Sequence, residues 1–200
     1  MSFAELAPRL EGRLVAVEPL TAAHEPGLRV AADDPDVWRY MTPLPPLDAD
    51  AFHAWVEQAL ARAASGHESP FCVVERATGQ PIGSTRYLAL RPEHRGLEIG
   101  FTWMATRAWG TGANTETKLL LLEHAFERLG CMRVEFKTEA TNERSRAALA
   151  ALPARFEGIF RKHMLVRDGV VRDSAWYAIT DDEWPDVKAS LERRVAAALG

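Results

Sequence analysis

The sequence predicts an α+β fold: one central sheet, mixed and partly antiparallel, flanked by helices, with an extra helix at the C-terminus. Three observations carry this prediction. Strand-like and helix-like segments are interleaved in the order β, α, α, β, β, β, α, β, α, β, β, α. A hairpin is legible in the middle of the chain, where two apolar runs flank a short polar loop containing glycine. The 200 residues contain no repeat, low-complexity tract or Gly/Ser linker, so residues 1–200 read as a single domain.

The elements follow in order. Residues 13–18 form the first strand candidate, apolar at Leu14, Val15 and Val17. Thr21 is placed to cap a first helix running to Ala32, which Pro26 would shorten or kink. Pro43 to Pro46 read as a loop between two helices. Asp48 opens a stronger helix, with Phe52, Trp55, Val56, Ala59, Leu60 and Ala63 at helical spacing. PFCVVER and PIGSTRYLAL form the hairpin about Ala77-Thr78-Gly79-Gln80, and LEIGFTWM is the next strand.

A small-residue stretch, TRAWGTGAN, then feeds a buried helix with Leu119, Leu122, Phe126 and Leu129 on one stripe. Leu120, Leu121 and Ala125 widen that stripe, and Gly130 stands where a helix ends. Residues 133–138 alternate as a strand, and Asn142 begins a short helix that Pro153 stops after Leu152. Strands at 154–160 and 171–179 are separated by a turn around Asp168-Gly169. Residues 182–199 make the last, amphipathic helix, with Trp184, Val187, Leu191 and Val195 facing inward and Pro185 in its first turn.

Composition narrows the function. Lys and Arg number 24 against 28 Asp and Glu, a net charge of −4, which argues against nonspecific nucleic-acid binding. No apolar run reaches the roughly 20 residues that cross a bilayer, and the N-terminus lacks the pattern of a signal peptide. Cys72 and Cys131 form neither a CxxC pair nor a disulfide framework, and the six histidines are scattered without metal-ligand spacing. The expectation is a cytoplasmic protein with no metal, no nucleic acid and no membrane partner.

The chemistry-bearing feature is the passage from strand to helix at WGTGAN. Unpaired N–H groups and the helix dipole make such a start an anion site, and Gly110 and Gly112 let the backbone approach phosphate oxygens. The alternative is a plain tight turn. Neither GxxxxGK[ST] nor GxGxxG is present in this loop, so P-loop and dinucleotide readings fail.

WGTGANTET, from Trp109 to Thr117, resembles the WGxGxATEA form of the acyl-CoA pyrophosphate loop of GNAT-superfamily N-acetyltransferases. It is most similar to the RimJ/RimL-like branch, which includes the ribosomal-protein N-terminal (alanine) acetyltransferases. Glu98-Ile99-Gly100 before the loop, Asn142 and Ser145 after the next strand, and the tail Arg172, Asp173, Tyr177, Ile179, Glu183, Trp184, Pro185 follow in the expected order. Two registers fit the loop: Arg107-Gly110-Gly112, or Trp109-Gly112-Asn114, and the second agrees with Glu116 and Glu98. Asn114 and Thr117 stand where the branch usually has Ala, and Pro153 stands near a common glycine.

The resemblance implies an N-acetyltransferase with acetyl-CoA as co-substrate, attacked directly by a primary amine in a ternary complex. It implies that the backbone of Gly110, Thr111, Gly112, Ala113, Asn114 and Thr115 holds the pyrophosphate, with Trp109 also in contact with the cofactor. The pantetheine arm would lie between the strands at 102–104 and 133–138, with an N–H of Trp103 or Met104 polarising the carbonyl. Glu98 is the candidate base, directly or through a water; the competing reading is a polar residue on a strand's solvent face. Asn142 and Ser145 are read as contacts to the pantetheine amide and the leaving thiolate, or as a simple helix cap.

Trp38, Tyr40, Met41, Arg86, His163 and Tyr177 are candidates for the acceptor pocket. Trp38 reads equally as core, and His163 as a hydrogen-bonded strand residue. The acceptor is expected to be a peptide N-terminus or a small cationic amine; dimerisation is common in this branch, and the sequence leaves monomer and homodimer open. A CoA-binding regulatory module on the same fold is the alternative function, and a structural protein with no CoA affinity is the third.

Overall fold

The computed structural model describes residues 3, 5–41, 48–166 and 169–200. Its elements are β1 (Leu10–Glu11), β2 (Val15–Pro19), α1 (Glu25–Ala31), α2 (Ala49–Ala64), β3 (Ser69–Glu75), β4 (Pro81–Arg91) and β5 (Gly96–Met104). After these come α3 (Ala113–Glu123), β6 (Arg133–Glu139), α4 (Glu143–Ala151), β7 (Arg155–Val166), β8 (Val170–Thr180) and α5 (Trp184–Ala198). The order is the predicted one with a short β1 added. The strands form one sheet in the order β1-β2-β3-β4-β5-β6-β8-β7, in which only β5 and β6 pair in parallel among the described residues. The proline loop at 43–46 and Asp168 of the predicted turn lie outside the described residues.

Two apolar clusters clamp the sheet. Val17, Phe71, Val73, Ile82, Tyr87, Leu97 and Ile99 meet Leu121 and Leu122 of α3 and Leu191 of α5 in one cluster. Leu28, Trp38, Phe52, Trp55 and Val56 meet Cys72 and Trp103 in the other. Phe71 and Val73 join the first cluster while Cys72 joins the second, which is the period-two alternation of a strand covered on both faces. Each fully buried side chain of this kind contributes about 1.5–3 kcal/mol.

Several boundaries differ from the sequence reading, each for a local reason. The segment after Thr21 is a 3-10 turn over Ala22–His24 followed by α1, and Pro26 sits in the first turn of α1, where its missing N–H costs nothing. Asp48 caps α2 as expected, its carboxylate accepting from Ala51 N–H at 2.8 Å. The α-helical part of α3 stops at Glu123, and a π turn runs from His124 to Arg128. The buried Tyr87 hydroxyl donates to the Leu121 carbonyl at 2.6 Å and so intrudes on the helical ladder. β7 is longer than predicted and forms the sheet edge, exposing Phe156, Ile159, Phe160 and Leu165.

The sheet is open at one place. β5 and β6 pair at Gly96↔Arg133, Leu97↔Val134 and Glu98↔Glu135 and no further. Beyond Glu98, β5 continues against β4, while β6 pairs with β8 all the way to Glu139. The register of β4 against β5 shifts between Ser84 and Arg86, and Phe101 opposite that shift has a left-handed φ of 48°. This bulge turns β5 away from β6 and leaves a cleft with strand edges on both sides.

Candidate active site

A cavity of about 850 Å³ joins this cleft to the start of α3 on one side and to α2 on the other. At the loop end, Gly112 precedes α3 with a φ of 87°, and no side chain caps the helix. The amides of Asn114 and Thr115 make no hydrogen bond within the protein among the described residues. Trp109 is fixed by its indole N–H, which donates to the Met104 carbonyl at 2.9 Å. The Arg144 guanidinium of α4 lies 3.8 Å above the Trp109 ring. Trp109, Gly110, Gly112, Asn114, Thr115 and Arg144 all line the cavity.

Thr111 and Ala113 belong to the loop without lining the cavity; the Thr111 hydroxyl closes the turn by donating to the Ala108 carbonyl at 2.8 Å. Arg107 is turned toward Glu75, 3.2 Å away at the surface. Gly112, rather than Gly110, therefore stands at the helix start. Across the cavity, Asn142 caps α4 by accepting from Ser145 N–H at 3.0 Å. Both residues line the cavity, and the Ser145 hydroxyl has no protein partner among the described residues.

Glu98 lies at the head of the cleft, 2% exposed, and accepts from Lys137 Nζ at 2.6 Å. A Cβ on Gly100 would come within 2.9 Å of Glu98 Oε1, so the glycine makes room for this carboxylate. Burial raises the pKa of Glu98 above the ordinary carboxylate value, and the adjoining Lys137 ammonium opposes that rise. Trp103 and Met104 line the cavity at the far end of β5. From α3, buried Lys118 donates to Thr102 Oγ1 at 2.7 Å, and burial pushes its pKa down to about 7.

On the α2 side, Tyr40, Met41 and Trp55 line the cavity with Arg86. The Arg86 guanidinium lies 5.3 Å from the Trp55 ring and 4.8 Å from the Phe101 ring, and donates to Glu68 at 2.8 Å. Three other residues predicted for this pocket do not line it. Trp38 is core, packed 5.3 Å from Trp103 with its indole N–H on the Ala32 carbonyl. His163 Nδ1 is 3.0 Å from Ser174 Oγ on the neighbouring strand. Tyr177 packs on Phe156, and its hydroxyl accepts from Arg146 Nε at 3.2 Å.

Sequence reasoning passed over Lys118, Lys137, Glu68 and Arg144, all of which line the cavity. One signal was available: Lys118 directly precedes the apolar run Leu119 to Leu122 of a helix that is otherwise buried.

The model of the acetyltransferase (GNAT) domain matches residues 14–154. The chain belongs to the GNAT acetyltransferase family. It is 28% identical over 107 residues to the uncharacterized N-acetyltransferase YoaA of Bacillus subtilis (strain 168), covering 54% of this chain and 59% of that relative. The match thus spans little more than half the length of the curated relative. Among solved structures it is similar to a GCN5-related N-acetyltransferase from Brucella melitensis, with a TM-score of 0.88 and 30% identity over 94% of this chain and 86% of that one. It is also similar to Mycobacterium smegmatis RimJ in complex with CoA-disulfide, with a TM-score of 0.73 and 25% identity over 96% and 93% of the two chains.

Acetyl-CoA is the co-substrate that the GNAT fold typically binds. The residues of this GNAT chain suit it. Free amides at the positive end of α3, with Arg144 beside them, offer an anion site, and the unpaired strand edges of the cleft offer main-chain partners for an amide-bearing arm.

Proposed function

We propose that this GNAT protein is an N-acetyltransferase that moves the acetyl group of acetyl-CoA to a primary amine by direct attack. One observation carries the reading: the uncapped start of α3, the β5/β6 cleft and Glu98 all open into one cavity. Phosphate groups are assigned to the loop from Trp109 to Thr115 and to Arg144, the acyl arm to the cleft, and the amine to the α2 side. A peptide N–H of Trp103 or Met104 is the main-chain donor for the acyl oxygen, and the Ser145 hydroxyl is the donor for the departing sulfur. The WGTGANTET loop and the likeness to RimJ support a place in the RimJ/RimL-like branch, with a peptide N-terminus or a small amine as acceptor.

Glu98 is the proposed base. An α-amino group has a pKa of about 8, so the base has only a modest proton-transfer task near neutral pH. The carboxylate form is the active one, and activity therefore rises as pH climbs through the raised pKa of Glu98. Glu98→Gln is expected to slow turnover of an α-amine acceptor by about 10²–10³-fold near neutral pH. The deficit shrinks toward pH 9, where the acceptor loses its proton unaided. Thiol release from acetyl-CoA, measured with peptide and polyamine acceptors across this range, tests the assignment. Equal rates for Glu98→Gln and wild type remove Glu98 as base, and binding without turnover on any amine leaves a CoA-binding module.

A further inference from the structure

Lys118 projects from the second turn of α3 into the floor of the cleft, where the hydrogen bonding between β5 and β6 has run out. Its Nζ donates to Thr102 Oγ1 of β5 at 2.7 Å and lies 5.7 Å from the centre of the Phe136 ring of β6, so the ammonium bridges the two parted strands from below. Thr102 is itself held by Thr85 of β4, with the two hydroxyl oxygens 2.8 Å apart. The residue is 7% exposed and has no carboxylate within ion-pair distance among the described residues. Burying an ammonium in this way costs several kcal/mol unless something compensates its charge. An ammonium has three donors, and Thr102 takes one of them, which leaves two for the cavity.

We propose that Lys118 is a second donor for the acyl oxygen, beside the main-chain N–H assigned above: its ammonium hydrogen-bonds the thioester carbonyl in the cleft and stabilises the negative charge that grows on that oxygen during attack. The assignment rests on the acetyltransferase reading above and adds to it a charged donor on the floor of the cleft, below the strand that carries the proposed base. Preorganised donors of this type are worth most in a dry site, where no reorganisation is needed as charge develops. Burial lowers the pKa of Lys118 to about 7, the Glu98 carboxylate opposing that fall, and a bound acyl oxygen would favour the ammonium further.

Glu98 is the one carboxylate that acts on Lys118 electrostatically, and it is already engaged by Lys137. The other charged groups that line the cavity are Glu139 of β6, Arg86 of β4, Arg144 of α4, Arg172 of β8, Arg194 of α5, and Arg62 and Glu68 on the α2 side. The ammonium is the active form, so polarisation of the thioester is present at low pH and is lost as pH rises through the titration of Lys118. This is the reverse of the dependence expected for Glu98.

The test is isotope-edited infrared spectroscopy of acetyl-CoA carrying a ¹³C-labelled carbonyl, bound to wild type and to Lys118→Met. Methionine keeps an unbranched stem of similar length against α3 while removing the donor. The bound carbonyl is expected to absorb at lower frequency in wild type than in Lys118→Met. Single-turnover transfer is expected to slow by about 10²–10³-fold in the variant, with CoA affinity changed less than about threefold. A pH series on wild type carries the same test should the variant fail to fold, since the carbonyl frequency must rise as Lys118 loses its proton. Binding of acetyl-CoA with one frequency in both proteins, or with no pH dependence in wild type, overturns the assignment. Absence of acetyl-CoA binding to wild type overturns the acetyltransferase reading, and this assignment with it.

Discussion

Glu116→Ala is expected to destabilise the protein by about 3–5 kcal/mol, among the largest effects of any single substitution outside the apolar core. The Glu116 side chain is buried, and its two oxygens accept from three consecutive backbone N–H groups: Arg13 at 2.8 Å, Leu14 at 2.7 Å and Val15 at 2.8 Å. It therefore ties the start of β2 to α3, one hundred residues further along the chain. Truncation leaves three donors at least partly buried without partners, and nothing in the apolar surroundings replaces the carboxylate. Gly12 belongs to the same device, because a Cβ there would come within 2.4 Å of the carboxylate. Urea unfolding of wild type, Glu116→Ala and Glu116→Gln measures the effect, with glutamine expected to retain part of the bonding. A loss below about 1 kcal/mol for alanine would show that water satisfies these amides instead.

The second large effect separates the two glycines of the loop. Both take a left-handed φ, 76° at Gly110 and 87° at Gly112, but their surroundings differ. A Cβ on Gly110 meets nothing within 4 Å, whereas one on Gly112 would come within 2.6 Å of Ala198 Cβ in α5 and 3.1 Å of Leu14 Cδ1. Gly110→Ala should cost only the backbone term of about 1–2 kcal/mol. Gly112→Ala adds a clash with a packed helix and should cost about 2–4 kcal/mol. Because Gly112 sets the first turn of α3, its substitution should also weaken acetyl-CoA binding by tenfold or more. The double variant Gly112→Ala, Ala198→Gly is expected to recover about 1 kcal/mol or more of the stability lost. Additive effects of the two substitutions would show that strain in the backbone, and not contact with α5, dominates.

The parts of the fold that local chemistry specifies were legible. Asp48 before a helical apolar pattern located α2, the glycine-bearing loop at 77–80 located the β3/β4 hairpin, and small residues running into Leu119–Leu122 located α3. Features that depend on distant strands meeting were not. The cleft exists because β5 stops pairing with β6 beyond Glu98 and Glu135, a register relation between segments nearly forty residues apart. The π turn after Glu123 depends on Tyr87 arriving from β4. The site divides in the same way. WGTGANTET and Glu98-Ile99-Gly100 were readable as motifs, and the room that Gly100 leaves for Glu98 gives the second of them a physical reason. Lys118 was hidden because one charge beside an apolar stripe resembles the solvated edge of a helix. Only the parting of two strands above it brings that charge into a cavity. Trp38 shows the opposite case, an aromatic residue near the acceptor side that packs wholly into the core.

The most direct test of the central claim is titration calorimetry with acetyl-CoA and, separately, CoA on wild type and Arg144→Glu. Saturable binding of both ligands is predicted, weakening as salt is raised and falling at least tenfold when the charge beside the uncapped start of α3 is reversed. No binding to wild type up to millimolar ligand would contradict the account and leave WGTGAN as a turn.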